Sequence, residues 1–400
     1  MNKNGRWFYG LAGFIVLIFA GFVYGWSVYG ASIGADFPEW SKAQLSLTFT
    51  ICMACFCLGS FLAGNLSKRL NVRVNIYVSA GLFLAGFLIA SRAESLFVLY
   101  AGYGVLGGFG SGFAYNAVMS TITKWFPDKP GLISGMLLMG FGSSSLMLGS
   151  VFTAVTPAQT GAWRATFLVM GIITAAVLAA SSFFFKPPSP GTAPAGTAKA
   201  KSGGGRDYSP AEMVRTPYFW LFFLWAILIS GIGLAVISQA KVFASGIGPD
   251  VGGGVLTFVV GLVSVCNGLG RLLFGWLFDK LGWRTTMITV NGAGFFSVII
   301  LFAALISGQF WLVVLGFIVT GISYGGAPTM CSAVIGGFFG RKNYPVNFSI
   351  INMNLLAASF SGTLAGALYD ASGGYTTTLI AIGCSAAAAF AVLFFIRERA

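Results

Sequence analysis

Apolar residues come in twelve long runs separated by polar connections. The runs fall at about 10–33, 44–66, 74–91, 96–124, 131–155, 162–185, 217–243, 253–279, 285–306, 309–338, 346–368 and 376–396. A run of roughly 20 apolar residues matches the ~30 Å hydrocarbon core of a bilayer when wound as a helix. Within that core each segment must satisfy its own backbone, which a helix does. The pattern predicts an all-α integral membrane protein with twelve transmembrane helices.

Every connection is short except one, the Pro-, Gly-, Ala- and Ser-rich stretch PPSPGTAPAGTAKAKSGGGR and the polar residues after it. Such a composition cannot bury a core and reads as a linker. It divides the chain into an N-terminal six-helix bundle (1–186), a cytoplasmic linker (187–216) and a C-terminal six-helix bundle (217–400). Within the linker, SPAEMV predicts a short surface helix, with Ser209 as N-cap and Pro210 in the first helical position.

The eighth run breaks the apolar pattern. Val255–Phe278 contains a single charged residue, Arg271, about two-thirds of the way along. A guanidinium stays charged at any relevant pH, and at the middle of a span it costs at least ~2.5–3.5 kcal/mol. It must therefore face a cavity or a partner. Asn267 lies one turn earlier on the same face, with Ser264 before it. Arg271 is either a structural cation bonded to backbone carbonyls or an anion-binding group on a transport pathway.

Composition agrees with the membrane reading. Charged residues make up 8% of the chain against the ~25% usual in soluble domains. The net charge of +13 does not imply nucleic acid, because the basic residues sit in short loops, where they set topology. With the N-terminus inside, 18 of the 23 basic residues fall on the cytoplasmic side. Lys42, Arg92, Arg164 and Lys241 fall outside, and Arg271 is mid-span. Both termini are thus expected in the cytoplasm, with the chain multi-pass in the cell's inner (plasma) membrane. The first run is too long for a cleaved signal peptide. Histidine is absent. The six cysteines lie inside apolar runs, so the Cys52–Cys55 pair reads as small packing residues rather than a redox or metal motif. No metal, cofactor or nucleic-acid partner is expected.

The halves repeat each other. An ungapped shift of 213 residues superimposes 104–131 on 317–344, laying Gly108 on Gly321, Gly112 on Gly325 and Phe126 on Phe339. Duplicated halves around a central site are a transporter architecture.

GWLFDKLGWR at 275–284 carries the pattern G-x-x-x-D-x-x-G-x-R through Gly275, Asp279, Gly282 and Arg284. It resembles the loop of the major facilitator superfamily between spans 8 and 9. The copy expected between spans 2 and 3, GNLSKRLNVR, keeps Gly64 and Arg73 but has Lys68 for the aspartate and Asn71 for the second glycine. KWFPDKPGLISG (124–135), RTPYFW (215–220) and NGLGRLLFGWLFDKLG (267–282) resemble the oxalate/formate antiporter family, akin to proton-coupled monocarboxylate porters. The resemblance covers the whole chain. It implies two pseudo-symmetric six-helix bundles of the major facilitator fold, alternating access, and a carboxylate held between the halves. It lays the family's arginine on Arg271, its substrate-facing tyrosines on Tyr115 and Tyr324, and its gating loop on Gly275, Asp279, Gly282 and Arg284. It also implies a lysine in span 11 for oxalate. Here Ile351 or Leu355 stands at that place, and no basic residue occurs between Lys342 and Arg397.

A carboxylate pairs with a guanidinium in planar, bidentate fashion. One fixed cation suits one negative charge, so a small monocarboxylate is expected, carried as a neutral pair with a proton. Tyr24, in the aromatic string FVYGWSVYG, can offer a hydroxyl or be a packed ring. Phe141 is an apolar wall or a core residue. Of Asn352 and Asn354 in span 11, Asn352 is favoured to line the cavity. None of the ten acidic residues lies mid-span, and Asn267 stands where some monocarboxylate porters carry an aspartate. The proton must then travel on the substrate, on water or on a tyrosine. Anion exchange needs no proton carrier and is the alternative, with an anion-selective channel behind it. An enzyme is not expected, for no nucleophile–base pair exists within the spans. The expected partners are a small monocarboxylate, a proton and the lipid bilayer, with the chain as a monomer.

Overall fold

The computed structural model describes residues 5–40, 42–67, 69–157, 159–186 and 206–396, and their regular structure is helical. Residues 187–205 of the linker, and Lys68, lie outside the described residues. Twelve helices among the described residues are long and apolar enough to cross a membrane. They are α1 (Gly5–Gly25), α2 (Leu47–Leu66), α3 (Val72–Ala90), α4 (Leu96–Trp125), α5 (Pro130–Val155), α6 (Ala162–Ser182), α7 (Pro217–Ile247), α8 (Gly254–Leu281), α9 (Trp283–Ser307), α10 (Phe310–Phe338), α11 (Tyr344–Ser372) and α12 (Tyr375–Phe395). Phe97, Phe258, Phe296, Ile306, Phe360 and Phe394 are exposed on them. Large apolar side chains on the outside of long apolar helices suit a lipid surrounding. Cys52, Cys55, Cys57, Cys266 and Cys331 are buried, as packing residues would be.

The chain packs into two compact units. The first comprises Met1–Asp128, Gly140–Gly196 and Tyr344–Ile350; the second comprises Lys129–Met139, Thr197–Asn343 and Ile351–Ala400. The start of α5 therefore belongs to the second unit, and the start of α11 to the first.

Glycines lock helix pairs inside each unit. In the first unit, a Cβ on Gly112 of α4 would overlap the carbonyl of Phe56 and stand 2.6 Å from the backbone nitrogen of Ser60, both on α2. In the second, a Cβ on Gly325 of α10 would overlap the carbonyl of Asn267 and stand 2.7 Å from the nitrogen of Arg271, both on α8. Gly108 and Gly321 repeat the arrangement one turn earlier, against Cys52 and Val263. Only hydrogen at these positions lets the backbones approach so closely. The register agrees with the 213-residue shift.

Several spans are not regular α-helix. α1 tightens to a 3-10 turn at Gly21–Gly25 before the chain resumes as Trp26–Asp36. α4 is π-helical over Tyr100–Gly107. α11 breaks at Met353, where Asn354 Nδ2 donates to the carbonyl of Ile351 at 2.6 Å. In α10, Pro328 has no N–H to give the carbonyl of Tyr324 one turn earlier.

Polar side chains fix the ends. Pro210–Val214 forms the short helix expected in the linker: Ser209 accepts from the nitrogen of Glu212 and the Glu212 carboxylate accepts from that of Ser209, a capping box. The bond from the Ser209 nitrogen, followed by that from its hydroxyl, holds the Glu212 carboxyl below its usual range. Arg6 makes a bidentate ion pair with Asp128, Nη2 to Oδ2 at 2.7 Å, and lies 4.7 Å above the Phe126 ring. Asp36 accepts from the Gly161 nitrogen at 2.6 Å and the Trp163 indole at 2.7 Å. α8 and α9 are joined by Gly282 alone, at φ +82°, a conformation that costs glycine little.

Candidate functional site

Arg271 is 3% exposed on α8 in the second unit. Its Nε donates to Asn267 Oδ1 at 3.2 Å, the contact expected of residues four apart on one helix face. Its Nη1 donates to the carbonyl of Leu138. A guanidinium has five N–H donors, so these bonds meet part of its desolvation cost. The backbone around it is fixed as well. Thr329 Oγ1 donates to the Arg271 carbonyl at 3.3 Å, and a Cβ on Gly135 would overlap that same carbonyl. Ser332 donates to Ser134 at 2.8 Å, tying α10 to the same segment of α5. The Leu138 carbonyl could not be read from sequence: every residue has one, and only the packing of α5 on α8 selects it.

Tyr324 is buried on α10, its ring against the place where a Cβ on Gly233 of α7 would sit. Asn352 is buried at the end of the first piece of α11. Asn354 has local duties, for besides its bond to Ile351 its Oδ1 accepts from Ser230 at 3.4 Å. The bonds of Asn354 thus lie at the break in the span.

The other three candidate side chains meet in the first unit. The Tyr24 ring lies 5.3 Å from Phe141, and Phe141 lies 4.9 Å from Tyr115. Phe56 touches both Tyr115 and Phe141, at 5.1 and 5.5 Å. Phe348 stacks on Tyr115 at 5.6 Å and on Tyr344 at 5.1 Å. Edge-to-face and offset contacts of this kind add to area burial. Phe56 and Phe348 were not singled out from sequence, because an isolated phenylalanine in an apolar run has no local signal. Tyr24 sits in the 3-10 turn of α1, so irregular backbone coincides with a candidate residue.

The loop pattern has a clear geometry. Asp279 Oδ1 and Oδ2 accept from the backbone nitrogens of Gly131 and Leu132, each at 2.8 Å. These are among the first N–H groups of α5, which Pro130 opens. A carboxylate here satisfies two orphan donors and meets the positive end of the helix dipole. Gly275 and Gly131 pass so closely that a Cβ on either would overlap the other's carbonyl. Gly282 makes the one-residue turn, and Arg284 follows, exposed, in the first turn of α9. Lys280 lies 4.3 Å from the Trp276 ring.

Comparison with known proteins gives a consistent result. The sequence model described as Major Facilitator Superfamily matches residues 7–302 and 242–400. The chain is 27% identical over 401 residues to the oxalate:formate antiporter of Oxalobacter formigenes, covering 99% of this chain and 92% of that protein. It is 25% identical over 375 residues to human monocarboxylate transporter 11, covering 88% and 76%. Among solved structures, the proton:xylose symporter XylE superimposes with a TM-score of 0.77 at 16% identity, covering 100% of this chain and 97% of that one, a likeness of fold.

Proposed function

The chain belongs to the major facilitator superfamily, a multi-pass transporter and not an enzyme, and on that premise we propose that it carries a small monocarboxylate of the lactate or pyruvate type together with a proton. The observation that carries this reading is Arg271, a buried cation in the eighth span whose contacts are an amide and a backbone carbonyl, with no carboxylate among the bonds described above. A fixed charge compensated only by dipoles favours an anion of unit charge.

A substrate carboxylate takes the guanidinium in bidentate fashion, exchanging with the Leu138 carbonyl at Nη1. Asn267 holds Nε and keeps the fork oriented. Tyr324 and Asn352 are the further substrate-facing residues of the second unit; Tyr24, Tyr115 and Phe141 are the substrate-facing candidates grouped within the first. The bound pair is electrically neutral only if the substrate is a monoanion. A dianion carries a further charge into a dry site, unfavourable by several kcal/mol even at an effective dielectric of about 20. With no acidic residue mid-span, the proton accompanies the bound carboxylate on water or a tyrosine, or joins the substrate itself as it leaves Arg271.

The halves are the bundles 1–186 and 217–400, joined by the linker at 187–216. Both termini lie in the cytoplasm, the membrane is the cell's inner membrane, and the chain acts as a monomer. Asp279, Gly275, Gly282 and Arg284 act in gating, with Asp279 releasing the start of α5 once per cycle.

The test is uptake of labelled lactate into proteoliposomes with and without an inward proton gradient. Gradient-stimulated uptake, lost in Arg271→Ala, supports the reading. Oxalate transported as well as lactate at neutral pH would replace it with anion exchange. That second reading draws on the match to the oxalate:formate antiporter along nearly all of the chain.

A further inference from the structure

The loop pattern that holds the start of α5 through Asp279 has a degraded twin in the first half, where sequence puts Lys68 in place of the acid. The corresponding joint in the first unit is nevertheless tight. Tyr344–Ile350, the start of α11, packs within that unit. A Cβ on Gly64, the residue matching Gly275, would stand 2.6 Å from the carbonyl oxygen of Pro345. From α4, Asn116 Nδ2 donates to the same oxygen at 2.8 Å.

Asn116 is 0% exposed. Its Nδ2 also lies 3.4 Å from Ser60 Oγ, and its Oδ1 is buried with no partner. A buried amide with an unmet acceptor is costly. The direction of the amide is set by its neighbour, for the opposite orientation would turn Oδ1 onto a carbonyl oxygen. Its position matches that of Thr329 under the 213-residue shift, and Thr329 Oγ1 donates to the carbonyls of Arg271 and Gly325. In the second unit the start of α5 is met from other places, by Ser332 of α10 on Ser134 and by Arg271 of α8 on the Leu138 carbonyl.

We propose that Asn116 is a positioning residue of the transport cycle, holding Tyr344–Ile350 in the first unit by a donor-to-carbonyl bond, as Asp279 holds the start of α5 by an acceptor-to-amide bond. The two joints have opposite polarity. At one, a carboxylate takes two helix N–H groups. At the other, an amide gives to a helix C=O. A neutral latch needs no counter-ion when it opens, and Asn116 can offer its N–H groups to water. The inference depends on the chain being a transporter and not on which anion it carries.

Hydrogen–deuterium exchange on the full chain in nanodiscs tests it. Asn116→Leu removes the donor and keeps approximate volume, and loss of one neutral hydrogen bond corresponds to a factor of about 3–10. Exchange at Tyr344–Ile350 is expected to rise by that factor while α3, in the same unit, keeps its protection. In the lactate assay, maximal rate should change by a similar factor, with the half-saturation concentration within about 2-fold. Gly64→Ala, which wedges a methyl against Pro345 without touching the amide, should loosen the same residues. Unchanged exchange at Tyr344–Ile350 in both variants overturns the proposal, and so does equal loosening of α3, which would mark Asn116 as a plain core residue. Absence of lactate uptake by the unmodified protein would remove the substrate reading above and leave the exchange result to decide this one.

Discussion

The α2–α4 pair of the first unit and the α8–α10 pair of the second share one backbone and differ in one chemistry. Gly112 rests on Phe56 and Ser60 just as Gly325 rests on Asn267 and Arg271. The two contacts therefore identify Phe56 with Asn267 and Ser60 with Arg271. Where one half has an aromatic ring and a hydroxyl, the other has an amide and a guanidinium. The duplicated part is the glycine interlock, which any close pair of membrane helices needs. What sits on it is free to diverge, and only one copy has kept a charge. The first unit answers with rings, as Phe56 joins the group formed by Tyr24, Tyr115 and Phe141.

The sharpest way to break this comparison is to change the two matched side chains. Arg271→Lys should lower lactate uptake about 100-fold, since a point charge cannot replace the fork and truncating a buried charged partner costs about 2–5 kcal/mol. Ser60→Ala should lower it by no more than about 3-fold. Similar losses in both would mean that the cation is not special to the second half.

The interlock itself should behave alike in both halves. Gly112→Ala and Gly325→Ala each force a methyl onto a carbonyl, and each should cost about 1–3 kcal/mol of stability. Thermal unfolding in detergent reads this, and tolerance of one but not the other would show that the two pairs are not equivalent.

Asp279→Asn should act on rate. It weakens two charge-assisted bonds to the start of α5, so turnover should fall by about 10-fold, with the half-saturation concentration within about 2-fold. A rise in half-saturation at unchanged turnover would place Asp279 in binding instead.

The smallest effect is expected from adding charge. Leu355→Lys, or Ile351→Lys if the register differs, should weaken lactate uptake and improve competition by oxalate or malonate by several-fold, at the low end of what a partly screened second cation provides. Unchanged competition by both variants would disconnect span 11 from charge selection.

The sequence made the spans legible because a membrane crossing needs an unbroken apolar run, and such runs leave little ambiguity. Arg271 was legible for the same reason, as the exception to its run. The 213-residue shift was legible through glycines, which the structure turns into helix contacts. The 3-10 turn at Gly21–Gly25, the π-helical stretch at Tyr100–Gly107 and the break at Met353 were not. Each depends on what packs beside the helix, and the local residue types also suit a regular α-helix. The grouping of Phe56 and Phe348 with Tyr115, and the pairing of Arg6 with Asp128, join residues far apart in the chain and have no local pattern to announce them.

The single-residue turn at Gly282 makes α8 and α9 a mechanical lever with almost no slack at its pivot. A longer loop would absorb a tilt of one helix through its own torsions. Here one residue has two torsions, and both are spent in reversing the chain. Arg271 lies eleven residues from that pivot, or about 16 Å along the helix axis. A tilt of about 10° at the turn therefore carries the guanidinium sideways by about 3 Å, comparable to the length of a hydrogen bond. The reach of the arm converts a small rotation at the end of the helix into the making or breaking of a contact at its middle.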